Sequence, residues 1–278
     1  MIKTVLLPAG EPVPAFGMGT WCLGDKRAER REEMTTLRMG LDAGATLIDT
    51  AEMYGDGRSE QLVGEAIAGR RDKVFLVTKV LPHHATRQGT IAACEASLRR
   101  LGTDRVDLYL LHWRGQVPLD ETVGAFDALQ RSGKIRHWGV SNFDASDMQE
   151  LLAIAGGDAV ATNQLLYNLS RRWLEWEFGP WLRQRHIPLM AYSPIEQARL
   201  LSDPRLIEFG RANGMTPAQV ALAWLLAKDN VIVIPRTAQS KRMRENLGAL
   251  DHPLSRDQLA ELDCLFPAPD GPRPLELL

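Results

Sequence analysis

Apolar and polar stretches alternate along the chain in a regular order. Eight mainly apolar runs are each followed by a segment in which apolar residues recur every three or four positions. The runs cover residues 16–21, 45–49, 73–79, 105–112, 135–142, 159–164, 187–194 and 231–236. Continuous apolar runs are typical of parallel strands buried on both faces, and the longer spacing is typical of helices. The pattern therefore predicts eight β/α units.

The helical segments carry recognisable start and stop residues. Asp120 is expected to cap one helix, which Gly133 would end. Thr216 followed by Pro217 predicts a capping residue and a first helical position. The predicted helices span residues 30–44, 59–69, 89–102, 120–133, 144–156 and 171–185, with further helices after residues 204 and 217 and two after the last strand.

Eight such units in one chain favour a single (β/α)8 TIM barrel over residues 1–278. A doubly wound sheet would call for a GxGxxG turn after its first strand, and GMGTWCLG does not supply one. The residues before 16 are expected to form a short hairpin at the bottom of the barrel, and extra helices are expected at the C-terminus. The proline-rich tail PAPDGPRPLELL is expected to be irregular.

Composition and charge exclude some classes of function but do not identify one. The 278 residues are 45% hydrophobic and 24% charged, with a net charge of −2, so neither nucleic acid nor a membrane surface is an expected partner. Cys22, Cys94 and Cys264 are far apart and form no CxxC. Disulfides and a metal site are therefore not expected, and a cytoplasmic location is predicted. A monomer is the default expectation, since no sequence feature indicates an oligomer.

Polar and aromatic residues concentrate where the predicted strands end. Active sites of this barrel type lie at the C-terminal ends of the strands. The residues in question are Trp21, Asp49, Tyr54, Lys79, His112, Trp113, Ser141, Asn142, Gln164, Tyr192, Ser193, Arg236 and Thr237. They bring an acid, a base, phenols, amides and hydroxyls to one rim. We expect Trp21 and Trp113 to form walls of an apolar substrate pocket.

Four of these residues form a chemical unit. A phenol has a pKa of about 10, and a nearby ammonium group from Lys79 is expected to lower it, making Tyr54 a better proton donor. Asp49 would hold Lys79 charged, and His112 would orient a substrate carbonyl. The set contains no obvious nucleophile or metal cluster, which favours a hydride-donating cofactor. A Schiff-base lysine of the aldolase type is the rival interpretation of Lys79.

The chain resembles the aldo-keto reductase superfamily over almost its whole length. The motifs that carry the resemblance are LIDTAEMYGDGRSE, VTKV, YLLHW, GVSNF, NQLLYN, AYSPI and IPRTAQSKRMREN, in that order. Its length and overall pattern are similar to the bacterial, 2,5-diketo-gluconate-reductase-like members.

The resemblance implies NADPH-dependent reduction of an aldehyde or ketone. Tyr54 would be the general acid, assisted by Lys79 and Asp49, and His112 would orient the carbonyl. The implied NADP(H)-binding residues are Ser141, Asn142, Gln164, Tyr192, Ser193, Arg236, Thr237, Arg242, Glu245 and Asn246. A small-molecule carbonyl compound would be the substrate. The alternative is an NADP-binding regulatory subunit of a channel-like partner.

The positive charge of the segment after the last strand favours NADP over NAD. Arg236, Lys241, Arg242 and Arg244 place four cations at the predicted start of a helix, where amides and guanidinium groups together suit a phosphate. The chain departs from the family at three positions. Arg236 stands where many members have lysine, and Ile195 and Ala198 stand where leucine and glycine are more common. Glu196, in the same loop, which usually covers the pyrophosphate, has no assigned role, and its carboxylate would favour a ribose diol.

Overall fold

Ten strands define the framework of the molecule. The computed structural model describes residues 2–278. Its strands are β1 (Thr4–Leu6), β2 (Pro12–Pro14), β3 (Gly17–Gly19), β4 (Leu47–Asp49), β5 (Phe75–Val80), β6 (Val106–Leu111), β7 (Ile135–Ser141), β8 (Asn163–Leu166), β9 (Leu189–Tyr192) and β10 (Val231–Val233). Strands β3 to β10 are parallel neighbours in chain order.

The first and last of these parallel strands close the sheet. Bridges join Phe16 to Val233 and Gly19 to Arg236, and the amide of Gly19 donates to the carbonyl of Pro235 at 3.0 Å. The eight predicted strands therefore form a barrel, and the (β/α)8 prediction is confirmed.

Helices surround the barrel and follow its strands. They are α1 (Arg30–Asp42), α2 (Arg58–Ile67), α3 (Arg87–Leu101), α4 (Leu119–Arg131), α5 (Ala145–Leu152), α6 (Phe178–Gln184), α7 (Pro204–Ala212), α8 (Pro217–Ala227), α9 (Ser240–Leu247) and α10 (Arg256–Leu265). Helices α1 to α4 contact one another in sequence, and α9 packs against both α8 and α1, so the last barrel helices meet the first. No helix within residues 2–278 has the length and apolar character needed to cross a membrane.

The strands bury both faces, which explains their continuous apolar sequences. Leu108 and Leu110 of β6 point into the barrel, whereas Tyr109 and Leu111 pack under the helices. Side chains alternate along a strand, so one strand serves two cores at once.

The N-terminal hairpin fills the bottom of the barrel, as expected. Strands β1 and β2 pair antiparallel, with Val5 opposite Val13. Both valines, with Leu7 and Ala15, join the inward side chains of the barrel strands in one apolar cluster. The hairpin thereby closes the end of the barrel opposite the polar rim.

Three predicted boundaries were wrong. The strand predicted at 159–164 is β8, which begins at Asn163 after a 3-10 turn at Gly157–Ala159. The helix predicted at 171–185 is divided into a 3-10 turn, Trp173–Glu175, and the short α6. Asp120 lies in the first turn of α4, and Pro118 takes the N-cap position. By contrast, Thr216 caps α8 as predicted, through a hydrogen bond from the amide of Gln219.

Candidate active site

Side-chain alternation brings three of the predicted catalytic residues to the inside of the barrel rim. Leu47 and Asp49 share one face of β4, and Val77 and Lys79 share one face of β5. Leu47 and Val77 lie in the inner apolar cluster, so the two charged residues face inward above it. His112 continues the inward series of Leu108 and Leu110, one residue past the end of β6.

Lys79 is the centre of the site. Its side chain is fully buried, and its ammonium group donates to Asp49 Oδ2 at 2.8 Å, to the carbonyl of Thr50 at 2.9 Å and to the phenol oxygen of Tyr54 at 3.3 Å. Three acceptors thus account for all three N–H groups of the ammonium. Because Lys79 donates to the oxygen of Tyr54, the phenol proton stays free to be donated elsewhere.

The pKa values of this pair differ in part from the prediction. Burial lowers the pKa of Lys79, but the charges of Asp49 and Tyr54 and their hydrogen bonds outweigh it, so the net pKa lies above the ordinary value. Burial raises the pKa of Tyr54, and Lys79 lowers it only in part, so the net shift is upward. The predicted effect of Lys79 on the Tyr54 pKa is present, but burial outweighs it, so the expected net lowering is not found. Both groups keep their protons at neutral pH.

His112 is neutral and has a defined orientation. Burial, with the nearby charge of Lys79, lowers its pKa to about 3. Its ring lies edge-on to that of Tyr54, with centroids 5.9 Å apart. Its Nδ1 atom is buried without a hydrogen-bond partner among the described residues. An orphaned N–H group is rarer than an under-used acceptor, so the proton is assigned to Nε2.

A tight loop with left-handed backbone delivers Tyr54 to this group. Gly55, Asp56 and Gly57 all have positive φ, from 51° to 84°, and a Cβ atom on Gly57 would collide with the side chain of Arg100. Glycine adopts such positive φ values without steric cost. The two glycines let the chain reverse between Tyr54 and helix α2 at low conformational cost.

Amide and hydroxyl side chains from the next strands form hydrogen bonds with this centre and with one another. Gln164 donates to Asp49 Oδ1 and to the sulfur of Met190, at 2.8 and 2.9 Å. Both amide hydrogens are thus used, and Oε1 is left as an acceptor. Asn142 Oδ1 accepts from the Tyr192 hydroxyl at 3.0 Å, and Asn142 Nδ2 donates to Ser141 Oγ at 3.2 Å.

The predicted phosphate-binding segment divides into two parts. Arg236 lies beside the rim and donates to the carbonyl of Trp21 at 2.9 Å, and Arg242 is exposed in the first turn of α9. Arg244 instead lines a cleft beside Thr4 and Pro14, on the hairpin side of the molecule. The interpretation of four cations around one phosphate was therefore wrong with respect to Arg244.

The other predicted ligands of this segment lie before α9 and in its last turn. Thr237 is buried, and its hydroxyl accepts from the amide of Gln239 at 3.1 Å. Asn246 is buried and Glu245 is half-buried within the helix.

Glu196, unexplained by the sequence, lies in a buried ion-pair cluster. Its Oε1 accepts from Arg171 Nη2 at 2.9 Å and from Arg199 Nη2 at 2.8 Å, and its Oε2 accepts from Asn168 Nδ2 at 2.8 Å. The carboxylate is thus engaged within the protein, which argues against the interpretation that it binds a ribose diol. Sequence reasoning missed Asn168 and Arg171, although NQLLYN ended on the first of them.

Two tryptophans stand at the mouth of the site. Trp21 follows β3 by two residues and is 49% exposed, and Trp113 follows β6 by two residues and is 38% exposed. The ring of Trp113 lies 4.9 Å from that of His112. Indole rings that remain this exposed beside a buried polar centre are typical of the walls of a ligand pocket.

Comparison with known proteins agrees with the geometry. The sequence model of the aldo/keto reductase family matches residues 15–266. A protein of Escherichia coli K12 named methylglyoxal reductase YeaE is 48% identical over 281 residues, which cover 99% of each chain.

Solved structures give the same result. A Klebsiella pneumoniae aldo/keto reductase in complex with NADP and acetate has a TM-score of 0.97 and 47% identity, covering 100% of both chains. A putative 2,5-diketo-D-gluconic acid reductase B has a TM-score of 0.84 and 34% identity, covering 100% of this chain and 95% of that one. The chain belongs to the aldo/keto reductase family.

Proposed function

We propose that this protein reduces small aldehydes, 2-oxoaldehydes such as methylglyoxal in particular, with NADPH as the cofactor and Tyr54 as the proton donor. The observation that carries the proposal is the set of hydrogen bonds around Lys79. An ammonium group that donates to the phenol oxygen stabilises the phenolate left after the proton has been given up.

His112 is assigned the second contact with the carbonyl oxygen. As a neutral imidazole with its proton on Nε2, it donates one hydrogen bond and holds the oxygen beside the phenol. Two donors aimed at one oxygen stabilise the negative charge that develops there. Asp49 acts through Lys79 by holding its charge and position.

The residues present fit a nicotinamide cofactor. Ser141, Asn142 and Gln164 offer hydroxyl and amide groups for a carboxamide, and Tyr192 offers an aromatic face next to them. The start of α9, with Arg236, Thr237 and Arg242, suits the phosphate-bearing end, and Glu245 and Asn246 in the last turn of the helix are assigned to the adenine. When bound, this cofactor supplies a hydride to the carbonyl carbon. Structures similar to this chain contain NADP or NADPH.

The Lys79 environment argues against a Schiff base. An amine must be neutral to attack a carbonyl, whereas Asp49 and Tyr54 raise the pKa of Lys79. One cation next to the rim is not free to pair with a substrate carboxylate. Arg114, the cation next to Trp113, already pairs with Glu150 at 2.9 Å. A small neutral dicarbonyl fits these surroundings and agrees with the name of the relative from Escherichia coli.

A panel of carbonyl compounds tests the proposal. Methylglyoxal, glyoxal, aromatic aldehydes, sugars and keto acids are each mixed with the protein and NADPH, and loss of NADPH absorbance is followed, with NADH in parallel. We expect the highest kcat/KM with the 2-oxoaldehydes and NADPH. Absence of NADPH oxidation with every compound would contradict the proposal and favour the NADP-binding regulatory subunit.

A further inference from the structure

Three buried hydroxyl groups lie at the base of the loop that carries Tyr54. They belong to Thr20, which follows β3, to Thr50, which follows β4, and to Ser59 in the first turn of α2. Each of the three residues is 0% exposed. Residues 50–58 are hereafter the Tyr54 loop. Side chains from three separate elements thus meet where this loop leaves the barrel and returns to it.

The hydrogen bonds of these hydroxyls form one directed chain, hereafter the hydroxyl triad. Thr20 Oγ1 donates to the carbonyl of Asp49 at 2.9 Å, and because a carbonyl can only accept, the Thr20 proton is fixed there. Ser59 therefore donates to Thr20, whose hydroxyl and carbonyl oxygens lie 2.8 and 3.1 Å away. Thr50 donates to Ser59 Oγ at 3.1 Å. Every proton of the triad has an acceptor, and a buried network satisfied in this way holds its members rigidly.

The hydroxyl triad closes the base of the Tyr54 loop. Thr50 is the first residue of the loop and Ser59 follows its last, so the bond between their hydroxyls joins the two ends. The bond from Ser59 to Thr20 attaches both ends to the segment after β3. An exposed salt bridge spans the same two segments with its atoms 3.6 Å apart, and pairs of that kind contribute little. The triad is therefore the rigid attachment of the loop on this side.

The same residues reach the catalytic lysine through their backbone. Lys79 donates to the carbonyl of Thr50 at 2.9 Å and to the side chain of Asp49 at 2.8 Å. The hydroxyl of Thr50 anchors the residue whose carbonyl Lys79 uses, and the hydroxyl of Thr20 holds the carbonyl of Asp49. The bond from Lys79 to the Tyr54 oxygen is longer, at 3.3 Å. It is therefore the contact of Lys79 most easily lost when the loop moves.

We propose that the hydroxyl triad sets the distance between Tyr54 and Lys79, and thereby the rate of proton transfer to the substrate carbonyl. The idea rests on the proposed function, since it requires Tyr54 to be the proton donor. Thr20, Thr50 and Ser59 are positioning residues in this account, because their hydroxyls bond to one another and act through the loop. A displacement of about 1 Å at a catalytic group can lower a rate by up to about 10²-fold.

The rate of NADPH oxidation in a single turnover with methylglyoxal, followed by stopped-flow absorbance, tests the triad. Thr50→Val keeps the shape of the side chain and removes only the hydroxyl, so Ser59 loses a donor but keeps its own acceptor. We expect this rate and kcat to fall about tenfold, while the Kd for NADPH and the KM for methylglyoxal stay close to those of the wild type. Thr50→Ser retains the hydroxyl and should react at close to the wild-type rate.

Further variants separate positioning from a general loss of structure. Ser59→Ala should lower the rate at least as much as Thr50→Val, and the double variant should be no slower than Ser59→Ala, since the connection is already lost. Thr122→Val is the matched control. It also removes a buried hydroxyl bonded to a carbonyl, that of Ala85 at 2.7 Å, but it lies in α4, so some stability should be lost with the rate unchanged. If Ser59→Ala does not fold, the two Thr50 variants carry the test.

The outcomes distinguish the two proposals. A wild-type single-turnover rate in Thr50→Val would overturn the positioning role, and so would an equal loss in Thr50→Ser or in Thr122→Val. If the wild type reduces methylglyoxal and Tyr54→Phe does not, such results leave the proposed function standing without the triad. A wild-type protein that oxidises NADPH with no aldehyde would overturn both.

Discussion

The buried pair of Asp49 and Lys79 makes a demanding prediction about stability. In Asp49→Asn the side chain keeps its shape but loses its charge, and it faces two donors, Lys79 Nζ and Gln164 Nε2. An amide can turn its oxygen to only one of them. Lys79 is then left fully buried without a counter-ion.

The size of the effect follows from two routes that give similar values. Removing one partner of a buried ion pair costs about 3–5 kcal/mol. If Lys79 escapes by losing its proton, deprotonation at pH 7 from an ordinary pKa of about 10.4 costs about 4.6 kcal/mol, at 1.36 kcal/mol per pH unit. We therefore expect a loss of about 3–5 kcal/mol in the free energy of unfolding at pH 7.

Reversible urea unfolding, followed by tryptophan fluorescence and circular dichroism, measures this loss. In Asp49→Asn the folded pKa of Lys79 lies below its unfolded value, so the unfolded chain binds more protons and stability rises with pH. At about pH 9 the deprotonation cost falls to about 2 kcal/mol. The double variant Asp49→Asn/Lys79→Met should regain much of the stability, because it leaves no buried charge.

Two results would refute this reasoning. One is a loss below about 1 kcal/mol for Asp49→Asn, the level of a surface pair. The other is a double variant no more stable than the single one, which would mean that the unpaired charge is not the source of the loss. Glu208→Gln, in an exposed pair, is the matched control and should unfold like the wild type.

Two further predictions concern ionisation and cofactor choice. Because burial lowers the pKa of His112 to about 3, against about 6.5 in the unfolded chain, stability should be lost as pH falls from 6.5 toward 3. His112→Gln should lose part of this dependence in unfolding measured at pH 5 and pH 7, and an unchanged dependence would contradict the assignment. Arg242→Ala should weaken NADPH binding by about tenfold or more and NADH binding far less, as measured by fluorescence titration. Equal losses for the two cofactors would rule out a phosphate contact at Arg242.

The sequence predicted the barrel well because burial on both faces leaves a visible pattern. All eight predicted strands are present. In a chain of this size, continuous apolar runs such as residues 105–112 are typical of parallel strands buried on both faces. The ends of strands and helices were predicted less accurately. The division at 171–185 has a local cause in Pro180, whose ring conflicts with a helical carbonyl four residues earlier and is tolerated only in a first turn.

The sequence predicted which residues lie together at the candidate site, but it predicted their pKa values less well. The strand ends place Asp49, Lys79 and His112 on one rim. The alternation of side chains along each strand is enough to point them inward. The pKa of Tyr54 depends on how burial and the charge of Lys79 balance, which spacing does not reveal. The partners of Glu196 were equally hidden, because Asn168 and Arg171 lie 28 and 25 positions away in the chain.

The assignment of Tyr54 as proton donor is tested most directly by the steady-state kinetics of Tyr54→Phe with methylglyoxal and NADPH. Phenylalanine retains the ring beside His112 and Lys79 and removes only the hydroxyl. We predict NADPH affinity close to that of the wild type and a fall in kcat/KM of about 10²–10⁴-fold, the usual contribution of a general acid. Reduction at a near wild-type rate would contradict the central claim.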